Sequence, residues 1–72
     1  MTLDQIRLLS TIVQTGSFRG AAELLHRTQP TLGVAIRNLV RKFGFELFDR
    51  ANYRPFLTME GVKILSQAHK IL

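Results

Sequence analysis

A chain of 72 residues makes one domain at most and cannot wall a deep enzyme cleft, because a domain of this size buries only roughly 60% of its unfolded surface. Ten Lys and Arg against five Asp and Glu leave a net charge of +5, which points to a polyanionic partner, either nucleic acid or an anionic membrane surface. The lack of cysteine excludes a disulfide framework and a thiolate metal site, and no apolar run approaches the roughly 20 residues of a membrane span.

The N-terminus "MTLDQIRLLS" has an acidic residue and no apolar signal core, so the chain reads as soluble and cytoplasmic. In "TLDQ", Thr2 can cap the amide three residues on while Gln5 reaches back. Apolar residues then recur at Leu3, Ile6, Leu9, Ile12 and Val13, which predicts a first amphipathic helix over residues 2–15. Gly16 supplies its stop and Ser17 the next cap, so "TGSF" is a tight corner. A short second helix follows over residues 18–26, burying Phe18, Ala21, Ala22 and Leu25, and His26 falls at its end. The paired alanines suit a close helix crossing.

In "HRTQPT", Thr28 as N-cap puts Gln29 and Pro30 at the first two helical positions, where a missing N–H costs nothing. The third helix runs to Phe43 and stops at Gly44, with Leu32, Ile36, Leu39 and Phe43 along one face. Thr31, Val34, Asn38 and Arg41 then lie opposite, flanked by Pro30, Arg37 and Lys42. From residue 24 to residue 44 there is no carboxylate. The nearest acids in sequence are Glu23 and Glu46, so Arg27, Arg37, Arg41 and Lys42 have few local partners.

After Gly44, residues 47–50 and 56–58 are short candidate strands around a tip of Asn52, Tyr53, Arg54 and Pro55. Thr58 reads as another cap, with Glu60 in the first turn of a fourth helix that carries Gly61, Ile64, Leu65, Ala68 and Leu72 on one side. Nothing in "AHKIL" stops this helix, so it is expected to be the start of a longer one. Three core helices cannot cover that whole side, and Ile64, Leu65, Ala68 and Leu72 are therefore the expected dimerisation seam.

The fold class is mainly α: a winged helix-turn-helix with a three-helix core, a short β-hairpin wing and the start of a long linker helix. The helix-turn-helix spans about residues 18–37 and the wing about 46–58. An α-helix fits the major groove of B-DNA with its N-terminal residues nearest the base edges. Phosphates are then the missing acids for Arg27, Arg37, Arg41 and Lys42. Thr31 and Val34 lie nearest the bases, and Thr28 and Gln29 offer donors at a helix N-terminus. Arg54 at the wing tip is placed for a minor groove and Arg50 for a phosphate. The full candidate set adds Ser17, Arg19, Pro30, Gly33, Asn38 and Tyr53.

Order and spacing of "GSF" at 16–18, "AA" at 21–22, "LLH" at 24–26, "TQPTL" at 28–32, "LFDR" at 47–50 and "LT" with Gly61 at 57–61 resemble the N-terminal domain of LysR-type transcriptional regulators across essentially the whole chain. The resemblance implies a DNA-binding domain over residues 1–58 and a linker helix from 59 that pairs two subunits. It also implies a homodimer on double-stranded promoter DNA, a tetramer in a full-length protein, and a C-terminal domain outside these residues that binds a small co-inducer. The chain departs from the family's habit at Gly33, where serine is common, at Val34, where a polar or basic residue is common, and at Tyr53, where the wing arginine often stands one position before Arg54. Val34 can instead touch a thymine methyl. Arg41 and Lys42 stand where the family often has acids.

A role at an anionic membrane surface or as a partner-binding module would use the basic third helix alone, leaving its capped turn and the hairpin unexplained. His26 and His69 are too far apart for a metal pair, the five glycines form no phosphate loop, and five scattered acids suggest no catalytic pair. No cofactor, metal or enzyme activity is expected.

Overall fold

The computed structural model describes residues 2–49 and 56–71, apart from the side chains of residues 69–71. The readings at Arg50, Tyr53, Arg54 and Leu72 fall outside the described residues. Four helices and one short hairpin follow in the order α1 Leu3–Thr15, α2 Phe18–Leu25, α3 Gln29–Phe43, β1 Phe48–Asp49, β2 Phe56–Leu57 and α4 Met59–Ile71.

Each helix boundary has a local chemical cause. Thr2 and Gln5 form the capping box of α1, with Gln5 N donating to Thr2 Oγ1 over 3.1 Å and Thr2 N donating to Gln5 Oε1 over 2.9 Å. Gly16, at φ 73°, ends α1 in the left-handed region and donates its N–H to Ile12 O. One residue later Ser17 Oγ accepts from Gly20 N over 2.9 Å and opens α2. That helix ends at His26, whose φ of 55° puts a non-glycine residue in the left-handed region, stabilised by Arg27 N donating to Ala22 O over 2.9 Å. The histidine is thus a helix-end residue. Thr28 caps α3, Pro30 sits in its first turn, and Gly44 at φ 81° closes it.

Leu8, Leu9, Ile12, Leu32, Leu39 and Leu47 are fully buried, and each contributes about 1.5–3 kcal/mol of apolar burial. Ala21 and Ala22 are buried where α2 packs between α1 and α3. Periodicity alone had Leu3 and Val13 on the buried stripe of α1, but they are 66% and 42% exposed while Leu8 is 1% exposed. Contacts from both α2 and α4 widen the buried stripe of α1 to take in Leu8, while Leu3 and Val13 stand near the two ends of the helix. Phe18 and Phe48 meet edge to face at 5.6 Å, tying the start of α2 to the first strand.

The hairpin is antiparallel, pairing Phe48 with Leu57 and Asp49 with Phe56. Of the residues expected in strands, Leu47 and Thr58 lie outside the pairing, and the reading at Arg50 falls outside the described residues. Leu47 is buried ahead of β1, and Thr58 Oγ1 accepts from Gly61 N over 3.1 Å as the cap of α4. Thr58 N also donates to Leu47 O over 2.9 Å.

The fourth helix corrects an expectation. α4 packs against α1 and β2, so Leu65 and Ala68 are only 8% and 6% exposed within the chain itself. Ile64 is half-buried. The reason lies at the helix start, where Gly61 has no side chain and α4 comes directly against the Leu47 carbonyl. Leu65 and Ala68 therefore belong to the core and not to a free seam.

Candidate nucleic-acid interface

The turn between α2 and α3 leaves α3 with its core row inward at Leu32, Ile36 and Leu39 and its opposite row outward. Gln29, Pro30, Thr31, Val34, Arg37, Asn38, Arg41 and Lys42 are exposed, Val34 at 47%, and Gly33 is half-buried on one flank. At 1.5 Å per residue a 15-residue helix is about 22 Å long, enough to lie along a major groove about 12 Å wide. Among the described residues no carboxylate lies within ion-pair distance of Arg37, Arg41 or Lys42. Three cations on one helix face, without acids in reach, make a surface of positive potential.

Arg27 departs from that pattern. Its guanidinium clasps Asp4 at the start of α1, with NH2 to Oδ1 at 2.6 Å and NH1 to Oδ2 at 3.1 Å. The hydrogen bonds from Arg27, with the charges of Arg27 and Arg7 adding to them, hold the Asp4 carboxyl below its ordinary value, and the same pair raises Arg27 further. A carboxyl lowered on folding stabilises the fold above the ordinary carboxylate range, and that contribution is lost as pH falls through the lowered value. Arg27 has few local partners, as the sequence indicates, and the acid that it does meet comes from 23 residues away, beyond the reach of any local inspection. Arg27 fastens the turn to α1, and its charge is largely engaged. Arg19 is exposed and lies 3.6 Å from Glu23 one turn on, a surface pair of small effect.

The start of α3 is chemically denser. Thr31 N donates to Thr28 Oγ1 over 3.3 Å, and the two threonine hydroxyls are 2.7 Å apart. Their mutual hydrogen bond uses one of their two protons. The other remains for an external acceptor, offered from Thr28 or from Thr31 according to which way the bond runs. Ser17 is half-buried with its Oγ lone pair used by the cap, leaving its O–H proton for outside contact. The missed elements are Asp4 and the hydroxyl pairing, of which only the latter had a local signal, the i, i+3 spacing in "TQPT". Among the described residues no group of His, Asp or Glu is placed to hold a metal ion. No described helix is long and apolar enough to cross a membrane.

Comparison with known proteins agrees with this geometry. The family model described as "Bacterial regulatory helix-turn-helix protein, lysR family" matches residues 3–62. Two relatives, each named a probable RuBisCO transcriptional regulator, are 41% identical in Guillardia theta and 44% identical in Nostoc sp. strain PCC 7120, both over 71 residues and 99% of this chain. The chain spans 23% and 21% of their lengths. Among solved structures, the BenM DNA-binding domain in complex with benA site 1 DNA superposes with a TM-score of 0.89 at 32% identity, covering 99% of this chain and 80% of that one. The CbnR DNA-binding domain in its DNA complex has a TM-score of 0.86 at 27% identity, covering 99% and 82%. With four helices and a hairpin in the winged helix-turn-helix arrangement and a family model matched over residues 3–62, the chain belongs to the LysR family of bacterial regulatory helix-turn-helix proteins.

Proposed function

We propose that residues 1–58 bind double-stranded promoter DNA sequence-specifically, with α3 in the major groove and the wing near the minor groove, as part of a cytoplasmic transcriptional regulator that has no catalytic role. The observation that carries this reading is the outward row of α3, where Arg37, Arg41 and Lys42 have no described acid within ion-pair distance while Thr31 and Val34 stand between the cap and those cations. Cations on a groove-sized helix position it through phosphates, and short side chains at its N-terminal end are the ones that reach base edges. The Arg50, Tyr53 and Arg54 contacts are proposed on sequence grounds alone.

The two kinds of contact separate by mutation. Arg41→Ala is expected to weaken a selected duplex and an unrelated duplex by the same factor. Thr31→Ala or Val34→Ala is expected to change the ratio between them, by about 1 kcal/mol or roughly fivefold. Fluorescence anisotropy with both duplexes reads the difference. Equal losses on every sequence for all three variants would remove α3 as the reading helix.

The reading extends to a homodimer through residues 59–72 and, in a longer chain, to a tetramer and to a co-inducer domain. Because Leu65 and Ala68 are internal, the outward side of α4 available for pairing carries Met59 and Val62, 77% and 52% exposed, with Ile64 half-buried beside the core. Val62→Asp is expected to shift sedimentation equilibrium of the chain toward monomer without lowering its melting temperature by more than about 2 °C, since surface changes lie within roughly 0.5 kcal/mol. A wild-type chain that stays monomeric at high micromolar concentration would refute this seam.

A further inference from the structure

The chain's five glycines divide unequally. Gly16 and Gly44 stand at φ 73° and 81°, a conformation that disfavours side chains. An added Cβ at Gly20 would stand 2.9 Å from Ser17 Oγ, and one at Gly61 would stand 2.6 Å from Leu47 O. Four of the five thus answer a demand of the fold. Gly33 does not. It lies inside α3, away from either end, and a Cβ there would meet only Arg37 NH1, at the ordinary contact distance of 3.5 Å. The fold would accept alanine, and a glycine inside a helix makes the helix less stable than alanine does.

We propose that Gly33 is the point at which the sugar–phosphate backbone of bound DNA makes its closest approach to α3, so that the missing side chain serves the complex and not the fold. The inference rests on the DNA-binding reading above and deepens it. Two observations choose the backbone over the bases. Gly33 is half-buried on a flank of α3, between the core row and the outward row, and the flanks of a helix seated in a groove face the groove walls, which are strand backbones. Arg37, one turn along, has its NH1 over the bare position, so a phosphate entering the notch meets a guanidinium with no described carboxylate within ion-pair distance.

The test measures stability and binding on the same variants. Gly33→Ala should raise the melting temperature by about 4 °C, since the helix gains roughly 0.5–1 kcal/mol. The same variant should lower affinity about fivefold, and Gly33→Leu by thirtyfold or more, with equal factors on a selected and an unrelated duplex. If the alanine variant is more stable and binds as tightly as the wild type, the position is free space and the proposal is overturned. A loss confined to the selected duplex would put a base edge there and overturn it equally. If the wild-type chain itself binds no duplex, the DNA-binding reading fails first, an outcome that the wild-type titration identifies before any variant is compared.

Discussion

Gly61→Ala is expected to lower the melting temperature by about 15 °C, the opposite of the rise expected at Gly33 although both are helical glycines. The Cβ would stand 2.6 Å from the Leu47 carbonyl oxygen and 3.1 Å from Leu57 Cδ2. A flexible side-chain tip could move aside cheaply, but a backbone carbonyl cannot. The Leu47 oxygen already accepts from Thr58 N over 2.9 Å, and Thr58 in turn caps α4 and donates its hydroxyl to Glu46 O over 2.7 Å. Displacing α4 would therefore loosen the cap, the hairpin pairing and the contact that buries Leu65 and Ala68 together. Overpacking of this kind costs about 1–3 kcal/mol, and the loss should lie near the upper end. Small domains hold roughly 0.05–0.15 kcal/mol per residue, so that loss is a large share of the total. Thermal unfolding followed by circular dichroism decides it, and a melting temperature within about 2 °C of the wild type would mean that α4 does not lie against Leu47.

How much of this was legible beforehand follows from the range of each interaction. The boundaries of α1 and α3 are determined within four residues of sequence, by Thr2 with Gln5 and by Thr28 with Pro30, and both were read correctly. The core row of α3 was legible for the same reason, since Leu32, Ile36 and Leu39 repeat at the helical period. Asp4 was not legible as the partner of Arg27 because the two are close only after α1 and the turn have packed. Leu65 and Ala68 were misread for a related reason: an apolar row says that something covers it but not whether the cover is α1 of the same chain or another molecule. His26 was legible as a helix end, while its left-handed backbone was not, since nothing in its side chain demands that conformation. The outward row of α3 was named in full, yet only the structure separated Arg37, Arg41 and Lys42, with no described acid within ion-pair distance, from Arg27, which Asp4 holds, and Arg19, which pairs weakly with Glu23.

That separation sets the size of the largest effect expected in solution. Affinity for any duplex should fall roughly a hundredfold between 50 and 200 mM monovalent salt. Each phosphate neutralised releases condensed counterions, and the slope of log affinity against log salt is about −0.9 per phosphate. On the proposed reading Arg37, Arg41 and Lys42 would provide three such contacts, and the α3 N-terminus or the wing arginines of the sequence one more. Four contacts give a slope near −3.6, which over a fourfold change of salt amounts to that hundredfold. Arg27 is left out of the count because Asp4 holds it, and this makes the count testable. Asp4→Asn removes a negative charge and frees the guanidinium, so it should tighten binding to every duplex at low salt and steepen the slope by about one. If the clasp leaves Arg27 as available as its neighbours, the two slopes will coincide. A line flat in salt would go further and remove the electrostatic basis of the interface, since a helix face whose cations do not displace counterions is not in contact with phosphate.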